Sequence, residues 1–328
     1  MKTASPQNAS QAVSLALLLG LVLLAGCAGS GPGGSSMSIS ECMEPVRADS
    51  RDIRRNLNRI ERAPLCYRRQ QVREGSFRWT FHILEHQQHP QGPFWILPHD
   101  NENTAFDVAT QAVIDYGGGL LAVDSRGQRN FLGQDPNRNF SRSMDESRLC
   151  SGQRRAAPGY TQAIIEHYRG RGSPILALHN NLNGWSGNGG AGTISMDRGR
   201  PALRAYPGTG TGSRPGAYPR GSSSRRLLDE DNLVFMVTTR PVSADPALQR
   251  RIAALNAAGL NVILKQVNGS NFNCSLSDYV ARHRLGEYYN VEAEHGDRQS
   301  QQQMVERLLQ VLGIRPLSAQ TQPSPFLQ

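Results

Sequence analysis

From about residue 76 to residue 313, short apolar runs alternate with stretches of helical periodicity, and few architectures accommodate that rhythm. "SFRWTFHIL", "GPFWILPHD", "GLLAVDS", "SPILALHNN", "NLVFMVTT", "LNVILKQV" and "EYYNVEAEHG" have the length and apolar content of buried strands. Between them lie helical stretches. In "NTAFDVATQAVIDYGG" the residues Phe106, Ala109, Ala112 and Val113 share one face, and Gly117 follows the last turn. "YTQAIIEHYRG", "DPALQRRIAALNAAG" and "SQQQMVERLLQVLG" repeat the pattern. This predicts an α/β fold: a single domain with a mixed, mostly parallel central sheet flanked by helices on both faces. Such sheets carry their chemistry just beyond the carboxyl ends of the strands.

The segments outside the rhythm point to export. Lys2 is the only charge ahead of an apolar stretch at residues 12–25, which ends in Leu24-Ala25-Gly26-Cys27. A charged start, a short apolar middle and small residues at a cleavage point describe a secretory signal over residues 1–27. The ending resembles the lipobox of bacterial lipoproteins, which implies lipidation of Cys27. With Ala28 next, it also implies sorting to the periplasmic face of the outer membrane. The alternative is an uncleaved anchor helix. Residues 28–40 read as a Gly/Ser-rich tether, and residues 41–75 as an N-terminal helical segment in which Ile53, Leu57 and Ile60 share a face and Pro64 ends the helix. Residues 185–229, dense in Gly, Pro, Ser and Arg, interrupt the domain as an insertion, either disordered or a lid over the site. Residues 315–328 form a tail.

Of the five cysteines, Cys27 is the lipidation candidate and Cys42, Cys66, Cys150 and Cys274 remain, an even number suited to an oxidising compartment. Of the three possible pairings, Cys42–Cys66 with Cys150–Cys274 is favoured. No Cys-x-x-Cys occurs, which disfavours thiolate metal binding or redox catalysis. The net charge of +9 is carried by scattered arginines without a basic stripe, so a nucleic-acid partner is not expected. Anionic envelope polymers or lipid head groups are the better match.

The candidate chemistry begins at the end of "GPFWILPHD". His99 and Glu102 stand three apart at a strand end, and His179 follows the apolar run of "SPILALHNN". Two histidines and a carboxylate from separate strand ends could hold one divalent ion and leave a position for water. The competing reading makes Asp100 or Asn101 the cap of the next helix, with His99 and Glu102 merely flanking it. Glu292 and Glu294, two apart on a late strand, share a face and could supply the acid–base carboxylate. Arg129 and Arg138, in the polar stretch "RNFLGQDPNRNF", could stabilise an oxyanion and grip a substrate carboxylate. Among the other histidines, His86 and His89 read as surface, His167 and His283 as solvated, and His82 lies within a strand. His295 stays open because it adjoins the two glutamates.

The succession His99-Asp100-Asn101-Glu102, Asp135-Pro136-Asn137-Arg138, His179 and Glu292/Glu294 resembles the zinc metallocarboxypeptidases and their succinylglutamate desuccinylase and aspartoacylase relatives, over roughly residues 76–313. The resemblance implies zinc (Zn2+) on His99, Glu102 and His179. It places Asn137 and Arg138 on a substrate carboxylate and Arg129 on the scissile carbonyl. Glu294 is the preferred base, through its Glu-His-Gly context, with Glu292 the alternative. Asp100 departs from the glycine usual after the first histidine. A tyrosine that closes over substrate could be Tyr206, Tyr218, Tyr288 or Tyr289. The expected function is an envelope-tethered zinc hydrolase cutting a C-terminal peptide or amide bond, with peptidoglycan peptides as one substrate class. The alternatives are an N-acyl amino acid deacylase, whose substrate also carries a free carboxylate, and a non-catalytic metal-containing binding protein.

Overall fold

The structure is a computed structural model that describes residues 35–150, 158–169, 171–182, 194–196, 202–209, 227 and 229–320. Residues 1–34, which include the expected signal segment and Cys27, as well as Tyr218 and most of the 185–229 stretch, lie outside the described residues. Among those described, the chain forms strands β1 (Ser36–Ile39), β2 (Leu65–Glu74), β3 (Phe77–His86), β4 (Phe94–Leu97), β5 (Gly119–Val123), β6 (Ile175–Asn181), β7 (Leu203–Tyr206), β8 (Leu233–Thr238), β9 (Val262–Gln266) and β10 (Tyr288–Glu294). The helices are α1 (Arg51–Arg55), α2 (Leu57–Arg62), α3 (Asn103–Tyr116), α4 (Met144–Ser147), α5 (Pro158–Ile165), α6 (Pro246–Ala257), α7 (Leu276–His283), α8 (Arg298–Val311) and α9 (Leu317–Gln320).

All the strands join one sheet in the order β1-β2-β3-β5-β4-β6-β10-β8-β9-β7. Pairing is parallel through the centre, β5-β4-β6-β10, and again between β8 and β9. It is antiparallel at the margins and where β10 meets β8. The sheet is therefore mixed, as expected, and antiparallel pairing takes a larger share than the alternating rhythm suggested. Alternate residues of each central strand feed opposite layers. Trp95, Leu176, Leu178 and Val291 pack with α3, α6 and α8, while Phe94, Ile96, Ile175 and Ala177 pack with α5 and α7. Helices thus cover both faces.

The strand order sets the position of the site. From β4 the chain runs through α3 to β5 on one side, while β6 lies against β4 on the other. The carboxyl ends of β4 and β6 therefore flank a topological switch point, where a crevice opens in sheets of this kind. The return to β5 is tight. Gly117 and Gly118 have φ of +77° and +76°, and a Cβ on Gly118 would collide with the carbonyl of Pro93.

Three segments differ from the expectation. Ser36–Ile39, inside the tether span, pairs with β2 as an edge strand. In the 41–75 segment the helices stop at Arg62 and the chain extends into β2, because Pro64 ends the helix and the following residues alternate in burial. Part of the insertion forms β7, which closes the far edge against β9. Helix α7, not foreseen, starts at a Ser275 cap that accepts the N–H of Asp278. The disulfides join Cys42 to Cys66 and Cys150 to Cys274, with Cα separations of 5.3 and 5.8 Å, in the favoured pairing. The first fastens the segment ahead of α1 to β2, and the second fastens the end of α4 to the approach to α7.

Candidate metal centre

β4 is cut short by Pro98, which has no N–H to extend the ladder, so His99 leaves the sheet at the switch point. The helix-capping alternative does not hold. Glu102 occupies the cap position of α3 without capping it through its side chain. The N–H of Ala105 is instead taken by Oδ1 of Asn180, at 3.0 Å. Asp100 is also engaged elsewhere: its carboxylate accepts the N–H groups of Ser125 and Gly127 at 2.8 and 2.6 Å. The acid that departs from the family pattern thus anchors the loop beyond β5. Glu102 is left to turn inward.

There it meets both histidines. Nδ1 of His99 lies 2.8 Å from Glu102 Oε1, Nδ1 of His179 lies 2.9 Å from Oε2, and the two Nδ1 atoms are 3.0 Å apart. One ligand atom from each residue falls within 4.8 Å of the others, and all three residues are buried. Nε2 of His99 faces Asp135 Oδ1 at 2.8 Å. A carboxylate can only accept, so it fixes the Nε2–H tautomer and turns the Nδ1 lone pair of neutral His99 towards Glu102 and His179. Converging lone pairs of this kind fit a divalent cation. Without one, a proton on His99 must take that place. Burial presses the pKa of His99 down, but the charge of Glu102 and the bond to Asp135 outweigh it and hold it above the ordinary histidine range. Burial pushes Glu102 up, and the charges of His99 and His179 overcome this, leaving it well below the usual carboxylate range.

The surrounding residues brace this group. Glu102 Oε2 accepts the N–H of Asn180 at 3.0 Å, and Gln301 of α8 donates to the carbonyl of His179 at 2.8 Å. Arg129 Nη1 donates to Glu102 Oε1 at 3.0 Å. Asp135 accepts the N–H of Asn137, shaping the short turn Pro136–Arg138. Asn137 Oδ1 accepts the N–H of Leu276 at 3.1 Å, and its amide nitrogen faces His179 Nε2 at 3.4 Å. Asn137 therefore spans from α7 to the histidine. Arg138 is half-buried on the same turn and donates to the carbonyl of Asn137.

The two glutamates of β10 part company here. Glu292 stands opposite His179 in the parallel register of β6 and β10. Asn290 donates to Glu292 Oε1 at 2.7 Å. Burial raises the pKa of Glu292, the charge of His179 lowers it and that of Glu102 raises it further; the sum lies above the ordinary range. Glu294 is pushed up to about 8 by burial and by Asp229, Asp231, Asp297 and Glu230, a separate acidic group. The structure thus brings His99, Glu102, His179, Arg129, Asn137 and Glu292 together and sets Glu294 apart. His295 is exposed, and His86, expected at the surface, is buried and accepts the N–H of His89. Tyr206 sits on edge strand β7, while Tyr288 and Tyr289 are buried in β10. Asp135, Asn180, Asn290 and Gln301 carried no assigned role. Only Asp135 had a signal, its place in "DPNRNF".

Comparison with solved structures returns, among others, proteins from Shewanella denitrificans and Shewanella amazonensis, each described as a "putative metallopeptidase". Both are 12% identical to the chain with a TM-score of 0.39. The first covers 88% of this chain and 99% of its own, and the second 72% and 83%. No protein-family model and no curated protein matches the sequence.

The bond to Asp135 yields a direct prediction. Asp135→Asn removes the charge that orients His99, and metal affinity is expected to fall by about 10–100-fold, as for other partners of ligating histidines. Competition with a chelator measures it. Unchanged affinity would show that His99 needs no such support.

Proposed function

We propose that the chain is a zinc-dependent hydrolase that cleaves a C-terminal peptide or amide bond, tethered in the bacterial envelope through Cys27. The observation that carries the reading is the convergence of His99, Glu102 and His179 with Glu292 one strand away in register with His179. Two imidazoles and a carboxylate suit zinc, which prefers nitrogen and oxygen donors and keeps a position open in catalytic sites. Zinc bound there supplies a more acidic water and a polarised carbonyl.

The chain's own groups perform the rest. Glu292, which burial biases towards holding a proton, accepts one from the attacking water and returns it to the leaving nitrogen. Asn290 keeps its carboxylate aimed. Arg129, already against Glu102, offsets the charge that grows on the carbonyl oxygen. Arg138 grips the substrate's carboxylate through paired bonds. Two disulfides agree with an oxidising compartment, and envelope peptides, peptidoglycan stem peptides included, are the substrate class such a location offers.

The test is mass spectrometry of products from peptides, peptidoglycan fragments and N-acyl amino acids, with and without chelator. The expected result is release of a free C-terminal amino acid that stops on chelation and returns with zinc. Release of only a small acyl acid would make the protein a deacylase. Bound metal with no turnover of any substrate would leave a binding protein.

A further inference from the structure

The turn that carries Asn137 and Arg138 is held from outside the metal group. Phe140 N–H donates to the carbonyl of Cys274 at 3.0 Å, and Leu276 N–H donates to Asn137 Oδ1 at 3.1 Å. These two bonds bracket Arg138, and both come from residues 273–276 on the approach to α7. Past the turn, Thr161 of α5 accepts the N–H of Ser141 at 2.9 Å. Within the bracketing segment Cys274 has a φ of +56°, a left-handed conformation that side chains rarely adopt, so its surroundings must impose it.

Two anchors do so. One is the disulfide to Cys150. The other is Lys265 of β9, apart from Lys2 the only lysine of the chain. Its Nζ donates to both oxygens of Asp278 at 2.8 Å and to the carbonyl of Asn271 at 3.1 Å. Asp278 is fully buried, and its Oδ2 also accepts the N–H of Asn273 at 2.9 Å. Its own N–H donates to Ser275 Oγ at 3.3 Å. A buried ion pair adds little net stability. What this one does is join the sheet, through Asn273 and Ser275, to the segment that brackets Arg138.

We propose that Lys265 and Asp278 are positioning residues for the substrate's carboxylate, acting through residues 273–276 on Asn137 and Arg138 without touching substrate. The inference deepens the hydrolase reading and rests on it for the role of Arg138. A guanidinium grips a carboxylate through two parallel bonds only when its plane is held in place, and this segment fixes the turn that presents it. His99, Glu102 and His179 take their support elsewhere, from Asp135, Asn180 and Gln301.

The test combines Lys265→Met with Asp278→Leu in the zinc-replete protein. Replacing both charges leaves neither unpaired, so the variant is expected to fold. For a peptide with a free C-terminus, KM is expected to rise about tenfold or more while kcat stays within about threefold of wild type, the pattern of lost binding shared by ground and transition states. Hydrogen exchange reads the same link without turnover. The amides of Phe140 and Leu276 should exchange about tenfold or more faster in the variant, with those of β4 and β6 unchanged. Unchanged exchange at Phe140 and Leu276, or a fall in kcat at constant KM, would overturn the proposal. Should the variant fail to fold, wild type decides it. The amides of Phe140, Asn273, Leu276 and Asp278 are expected to open as one unit with common protection, and separate values refute the link. If wild type cleaved no peptide, the hydrolase reading would fail on its own, and exchange would still decide whether the pair holds the turn.

Discussion

His179→Ala is expected to reduce bound transition metal to background. The effect should exceed the roughly 10–100-fold that loss of a mere supporting partner produces, because a donor itself is gone. It also leaves Glu102 with one histidine instead of two, so a carboxylate now far below its usual range loses part of what holds it ionised. The proton balance gives a second readout. In metal-free protein the His99 contribution to stability is present below histidine's ordinary pKa and is lost as pH rises through the raised folded value. An ion takes the proton's place, so metal affinity should increase across that same rise in pH and weaken on acidification. Melting curves against pH, with and without zinc, measure both trends. The metal-dependent gain in stability should be largest at the alkaline side and absent from His179→Ala at every pH.

Glu292→Gln is expected to lower kcat by about 10²–10⁴-fold, the range for loss of a general acid–base, while metal content stays at the wild-type level. Glutamine keeps the size of the side chain and the bond from Asn290 to its oxygen, so the loss reports proton transfer rather than collapse of the pocket. Glu294→Gln should cost clearly less, since the charges acting on its carboxyl are chiefly those of Asp229, Asp231, Asp297 and Glu230 rather than of the histidines. Rates for both variants, measured against pH, decide between them. The acid limb of the kcat profile should vanish in Glu292→Gln and persist in Glu294→Gln. The reverse pattern would restore Glu294 as the base.

The grouping of His99, Glu102 and His179 was legible because each residue advertised its place. His99 and His179 both terminate apolar runs, and Glu102 follows His99 by one turn's spacing. The choice between Glu292 and Glu294 was not legible. Residues two apart on a strand face the same way, so periodicity cannot rank them; only the register that sets Glu292 against His179 does so. Asn180 and Gln301 were equally hidden, since their roles depend on α3 and α8 packing against β6. In the fold, the central strands and long helices followed from their apolar patterns. β2 escaped because its arginines and the buried Gln70 blur the alternation, and β7 because four residues sit inside a Gly/Pro/Arg-rich stretch.

Anomalous diffraction from crystals of the zinc-replete protein, recorded at the zinc edge, addresses the central claim most directly. A single strong peak about 2.0–2.2 Å from Nδ1 of His99, Nδ1 of His179 and a Glu102 oxygen is the predicted outcome. No peak at that position, with His99, Glu102 and His179 still bonded to one another, would contradict it.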